Sequence, residues 1–234
     1  MGERWFSEQQ LAQMSRPTMD RAIEAIDAGE SERARELCTA MKGEWQMLHD
    51  LMATAVLDLV SFVQQQGGDE AVADAWRSGM ERGWQRHHGA IEQLDRRRVV
   101  ELLAATWRAH SCSGAGPHPG EFKIIEDDEK VTFELGPCGS GQRLVLNGAY
   151  DGLPDGGMTR EAHDWTFGRE RMPLYCTHCA FMNESLPIEW SGYPLYPLDP
   201  PGDYASDPCR WYWYKDPADI PERFAQRYGA VRKA

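Results

Sequence analysis

Apolar residues recur every three or four positions through the first half of the chain, then fall into short alternating or clustered runs through the second. The first pattern is that of helices with one buried stripe and the second that of short strands. Ser7 stands where it can cap a helix running to Met14. Pro17 starts a second helix over 18–28, and Gly29 ends it. From Ser31 a third helix carries Ala34, Leu37, Cys38 and Met41 at helical spacing, a pattern that makes Cys38 a small core residue. A fourth, over about 44–66, sets Trp45, Leu48, Met52, Ala55, Val56, Leu59 and Val63 on a stripe expected to be buried, and Gly67-Gly68 closes it. A fifth begins under an Asp69 cap and aligns Val72, Trp76, Met80, Trp84, His87, Ile91 and Leu94. A sixth, over 95–110, uses Val99, Leu103, Thr106 and His110 in the same way.

Proline divides this half from the next: of 14 prolines only Pro17 precedes residue 117, so long helices are confined to the first part. Segment 111–120, rich in Ser, Gly and Pro, reads as a linker whose Ser, Gly and His could also face a pocket. Residues 122–126 and 130–135 flank Asp127-Asp128-Glu129 and predict a β-hairpin with an acidic turn. That turn lacks the spaced carboxylates and closing Glu of a calcium loop. Arg143-Leu144-Val145-Leu146, Ile188-Glu189-Trp190, 195–198 and 211–214 read as further short strands. Their aromatic residues suit the core of a small β-domain poor in aliphatics. A last helix is expected over 219–228. The fold class is therefore α+β: a bundle of five or six helices in 1–113, then a small antiparallel β-domain in 114–234, the two packed as one compact unit.

Charge narrows the partners. The chain has 234 residues, a formal charge of −12 and a pI near 5.0, the opposite of what displaces counterions from a nucleic acid. Arg96-Arg97-Arg98 spreads around a helical turn and forms no basic stripe. Residues 1–6 lack the apolar core of a secretion signal, Phe6 occupies the Ser/Thr position of a myristoylation motif, and no stretch reads as 18 or more apolar residues. The expectation is a cytoplasmic protein with no membrane partner, in which six cysteines act as thiols or ligands.

The second half is organised around Cys176-Thr177-His178-Cys179. Two thiols separated by two residues can bite one ion, and Cys138 and Cys209 are placed to complete a Cys₄ shell of the kind zinc prefers. Iron is the alternative metal. The fourth ligand is open between Cys209, His178, His163 and His110, with Cys138, Cys176 and Cys179 as the common three. Gly136-Pro137-Cys138-Gly139-Ser140-Gly141 has the makeup of a zinc knuckle, in which a tight turn aims N–H groups at a thiolate. The string Cys138-Gly139-Ser140-Gly141 is similar to the opening of the SEC-C zinc motif, whose flanking cysteines are absent here. A redox dithiol is the competing reading of Cys176 and Cys179. It lacks, on sequence, a preceding βαβ strand or a recognisable helix start. His49, His87 and His110 fall on or beside helix stripes and offer a second, all-histidine metal site, or simply hydrogen-bonded core residues.

Two functions follow from these residues. One is a zinc-dependent hydrolase or lyase acting on a small molecule, with His178, His163 and Arg143 as catalytic candidates and His110 and His118 near the same pocket. In that reading Asp164 would orient His163. The other is a non-catalytic ligand-binding or protein-interaction module with a structural Cys₄ zinc.

Overall fold

The computed structural model of the chain describes residues 5–110 and 122–230; Cys112, His118 and the expected 113/114 boundary lie outside them. The chain divides into two compact units, Met1–His49 and Asp50–Ala234.

In the first unit, α1 (Glu8–Met14) is closed by a reciprocal cap: Ser7 Oγ accepts the Gln10 N–H at 3.2 Å while Gln10 Oε1 accepts the Ser7 N–H at 2.8 Å. Helix α2 (Thr18–Asp27) ends at Gly29, whose φ of 75° a side chain would resist. Ala22 and Ala25 of α2 meet Ala34 and Leu37 at the start of α3 (Ser31–Glu92). Cys38 is exposed, which corrects its expected core position: it stands one residue round the helix from Leu37 and misses the α2 contact.

The third, fourth and fifth expected helices are one element, α3. The Gly67-Gly68 break survives inside it as a non-helical Gly68 at φ 75° and ψ −167°. Asp69 does not cap the helix beyond the bend. Its carboxylate accepts the backbone N–H groups of Arg160 and Glu161 and the Gln64 amide, pinning a distant loop to the bend. Between residue 50 and the bend, Ala53, Leu57, Val60, Ser61 and Gln64 are buried, while Met52 and Leu59 of the expected stripe are exposed. This stretch is apolar almost all round, so spacing alone supports two faces, and the core takes the one bearing Gln64 with its hydrogen bonds. Past the bend Val72, Trp76, Met80, Trp84 and Ile91 face inward as expected, but His88 takes the buried place assigned to His87. In α4 (Arg96–His110), Trp107 is buried and Thr106 exposed, again one position from the expected stripe.

The hairpin forms where alternation placed it. Strands β1 (Lys123–Glu126) and β2 (Lys130–Leu135) pair antiparallel, and Asp127 in the turn accepts N–H groups from Glu129 and Lys130 at 2.9 Å each. With Lys130 Nζ bonded as well, the Asp127 carboxyl is held down to about 2. Strands β3 (Leu198–Asp199) and β4 (Cys209–Tyr214) complete an antiparallel sheet in the order β1-β2-β4-β3. Its inner face, Val131, Phe133, Leu135, Cys209, Trp211 and Trp213, packs on Val99, Leu103 and Trp107 of α4.

Two expected strands are helices. Residues 143–146 lie in α5 (Gly141–Leu146), and 188–190 lie in α7 (Leu186–Ser191), the end of a helical run over 174–191 that also holds α6 (His178–Ala180) and a π-helical turn at Phe181–Ser185. Apolar runs this short carry no period that separates the two states. The expected last helix shrinks to α8 (Arg223–Gln226).

Candidate metal centre

Strand pairing does what sequence spacing conceals. Leu135 at the end of β2 stands opposite Cys209 at the start of β4, so the loop that leaves β2 toward Cys138 begins beside Cys209. The chain then turns into α5, and the backbone N–H groups of Ser140, Gly141 and Gln142 are hydrogen-bonded to the Cys138 sulfur. Burial raises the Cys138 thiol, and these three donors pull the other way. The turn aims N–H groups at the sulfur as expected, although the glycines lead into a helix and not a strand.

Gln142 is the residue that sequence reasoning passed over. Its Oε1 accepts the Cys138 N–H at 2.7 Å, and its amide donates to the carbonyls of Tyr204 at 3.0 Å and Asp207 at 2.6 Å. One buried side chain thus fastens the Cys138 loop to the segment that delivers Cys209. Nothing in its local sequence marks it, because the two carbonyls that its amide holds belong to residues 204 and 207, far downstream.

The Cys176–Cys179 pair opens the helical run over 174–191, correcting the expectation that it stands away from a helix start. Thr177 between them is buried; its hydroxyl donates to the Leu174 carbonyl and accepts the Trp76 indole N–H at 2.8 Å, which holds the turn in place. Cys176 lies against Gly141 so closely that a β-carbon on Gly141 would come 2.3 Å from its sulfur.

Cys138, Cys176, Cys179 and Cys209 line one cavity of about 50 Å³, walled by Trp107, Trp211, Tyr204, Met172 and Met182. Burial lifts the thiols of Cys176, Cys179 and Cys209 well above their ordinary range, and neighbouring sulfurs lift them further. Among the described residues, no group of three or more His, Cys, Asp or Glu is gathered into a shell that could hold a metal ion as it stands. The sulfurs share a cavity without being drawn to a common point.

His178 also lines this cavity. Its Nδ1 bonds the Tyr175 carbonyl, which places the proton on Nδ1 and turns Nε2 toward the Cys179 sulfur at 3.5 Å. The ring packs edge-on to Tyr175 and tilted on Trp76, with centroids 4.9 and 5.6 Å away. The other two catalytic candidates stand elsewhere. Arg143 makes a two-pronged ion pair with Asp50, at 2.8 Å from Nε and 2.7 Å from Nη2. His163 places Nε2 3.2 Å from Asp69 and Nδ1 3.8 Å from Glu70, and stacks on Trp165 at 4.6 Å. Asp164 does not orient it; that carboxylate accepts the Trp165 N–H instead. Of the helix histidines, His87 is exposed and stacked on Trp84, and the side chain of His110 lies outside the described residues.

Comparison of the chain with family models, curated proteins and solved structures finds no match.

Proposed function

We propose that Cys138, Cys176, Cys179 and Cys209 close around one tetrahedral zinc ion, and that this ion is structural, tying the sheet to the helical run of a ligand-binding or protein-interaction module. The observation that carries the reading is the delivery of four thiols by three remote segments to one apolar cavity of about 50 Å³. That volume suits an ion and falls far short of the several hundred Å³ typical of a small-molecule pocket. Four sulfur donors with no carboxylate among them favour zinc, with iron as the alternative. An ion would draw the sulfurs to about 2.3 Å, convert them to thiolates and replace their mutual repulsion with attraction to one cation. A shell closed by four sulfurs leaves no position for a reactive water.

Metal analysis of protein purified without added metal tests this, with about one equivalent of zinc and no visible absorption expected. Cys179→Ser should lower metal content and destabilise the second unit; full retention of the ion by that variant would sink the proposal.

A second reading, a zinc-dependent hydrolase or lyase acting on a small molecule, is favoured by one observation: His178 Nε2 faces Cys179 Sγ at 3.5 Å. From there the imidazole could replace a sulfur as ligand or carry a proton. The structural reading expects His178→Ala to keep the metal. Loss of the ion in that variant would make His178 a ligand and reopen the catalytic case.

A further inference from the structure

Two hydrogen-bond donors in the wall of the cysteine cavity lack an acceptor. Cys209 and Trp211 stand two apart on β4 and so share its inner face, where both are buried. The Trp211 indole N–H is buried and completes no hydrogen bond among the described residues; the acceptor it is turned toward is the Cys209 sulfur. Tyr204 lines the same cavity, and its hydroxyl is likewise buried with no partner among the described residues. Of the four sulfurs, Cys176 acts on that hydroxyl most strongly. Tyr204 is also held from behind, since its carbonyl accepts the Gln142 amide at 3.0 Å. A buried donor left unpaired is costly. A neutral thiol accepts weakly and cannot satisfy it, whereas a thiolate can.

We propose that Trp211 and Tyr204 are positioning residues for the metal centre, donating to the thiolates of Cys209 and Cys176 once an ion converts those sulfurs to their charged form. The inference rests on the reading of the four cysteines as zinc ligands, and adds how the protein stabilises the charge such a centre carries. Four thiolates around one Zn²⁺ leave two negative charges in excess. They lie among Met172, Met182 and aromatic rings, and among the described residues the lining holds no Lys or Arg to offset them. Neutral donors are then the means available. Cys138 receives three backbone N–H groups from its turn. For Cys209 and Cys176 an indole and a phenol stand in the corresponding place, and such donors fix the orientation and charge of a ligand.

Trp213 separates donation from packing. It is the next inward residue on β4, 2% exposed against 3% for Trp211, and its indole N–H is also without a partner among the described residues. It does not line the cavity.

Competition of the full-length protein with a chelator for zinc tests the assignment. Trp211→Phe and Tyr204→Phe should each weaken zinc binding by about tenfold or more, and Trp213→Phe should leave it unchanged. With Co²⁺ in place of zinc, the sulfur-to-metal charge-transfer absorption should shift in the first two variants and not in the third, because losing a donor leaves more charge on the sulfur. A loss of packing alone lowers the melting temperature with chelator present and does not move that band. Tyr204→Phe removes one oxygen and keeps the ring, so it tests donation even where the smaller ring of Trp211→Phe costs folding. A variant of either residue that keeps wild-type affinity and an unshifted band overturns the proposal for that residue while the zinc reading stands. An equal loss of affinity in Trp213→Phe overturns it for both. A wild type that binds no zinc overturns the zinc reading, and the proposal with it.

Discussion

Replacing Gly141 with alanine reverses the sign that helix propensity alone would give. Gly141 opens α5 and its φ is not positive, so by propensity alanine should stabilise the helix by at most about 1 kcal/mol. The added methyl, however, would lie 2.3 Å from the Cys176 sulfur, where ordinary contact begins at about 3.5 Å. Something must move by more than an ångström. The obstacle is a buried thiol on a turn held by Thr177 and Trp76, not the free end of a long side chain. Overpacking of this kind costs about 1–3 kcal/mol, which leaves a net loss of up to about 2 kcal/mol after the propensity gain. In a chain of this length that lowers the melting temperature by up to roughly 8 °C. The displacement also exceeds the tolerance of about 0.2 Å on a zinc–sulfur distance, so metal content should fall with stability. Gly79→Ala is the control: it is helical, exposed and has nothing within 4 Å of the new methyl, so a rise of about 2–4 °C is expected. Calorimetric melting with and without a chelator, together with metal analysis, reads all three quantities. If Gly141→Ala melts at or above the wild-type temperature with its metal intact, the packing of Cys176 on Gly141 does not govern the site.

Three further outcomes follow from individual side chains. Gln142→Leu takes a partner from the Cys138 N–H and from the Tyr204 and Asp207 carbonyls; urea unfolding should show a loss of about 3 kcal/mol, and a loss under about 1 kcal/mol would mean the staple is dispensable. Glu184 is fully buried, with its carboxyl pushed up to about 7 by burial against the pull of Arg227 and hydrogen bonds from Leu198 and Tyr228. A carboxyl whose pKa is higher folded than unfolded stabilises the fold below its unfolded value, and that contribution disappears as pH rises through about 7. Between about pH 4.5 and 7.5 the wild type should therefore lose roughly 3 kcal/mol that Glu184→Gln does not, measured as the difference between their unfolding curves; parallel curves would refute it. Cys38→Ser should leave metal content and melting temperature unchanged, since that thiol is exposed in the first unit, and release of the ion would redraw the thiol map.

Local physics was readable from the chain. Ser7 and Gln10 sit at the offset a reciprocal cap requires, Gly29 and Gly68 at the points where backbone must leave the helix, and residues 122–135 alternate with a period no helix can satisfy. That the four cysteines belong together was legible from residue identity and one short spacing, and in the structure they line one cavity. What the sequence left open was decided by partners distant along the chain. Residues 143–146 and 186–191 are too short to display a period, and become helices where α3 receives them. Cys138 and Cys209 meet because β2 pairs with β4 in the register that sets Leu135 against Cys209. Gln142 acquires its role only when residues 204 and 207 arrive. His163 and Arg143 were chosen for their chemistry, but folding brought Asp69 and Asp50 to them, and a side chain held by a carboxylate elsewhere does not reach the cavity. On α3 the spacing defined two apolar faces. Hydrophobic periodicity states how wide a face is, and only tertiary packing determines which face is turned to the core and which is left exposed.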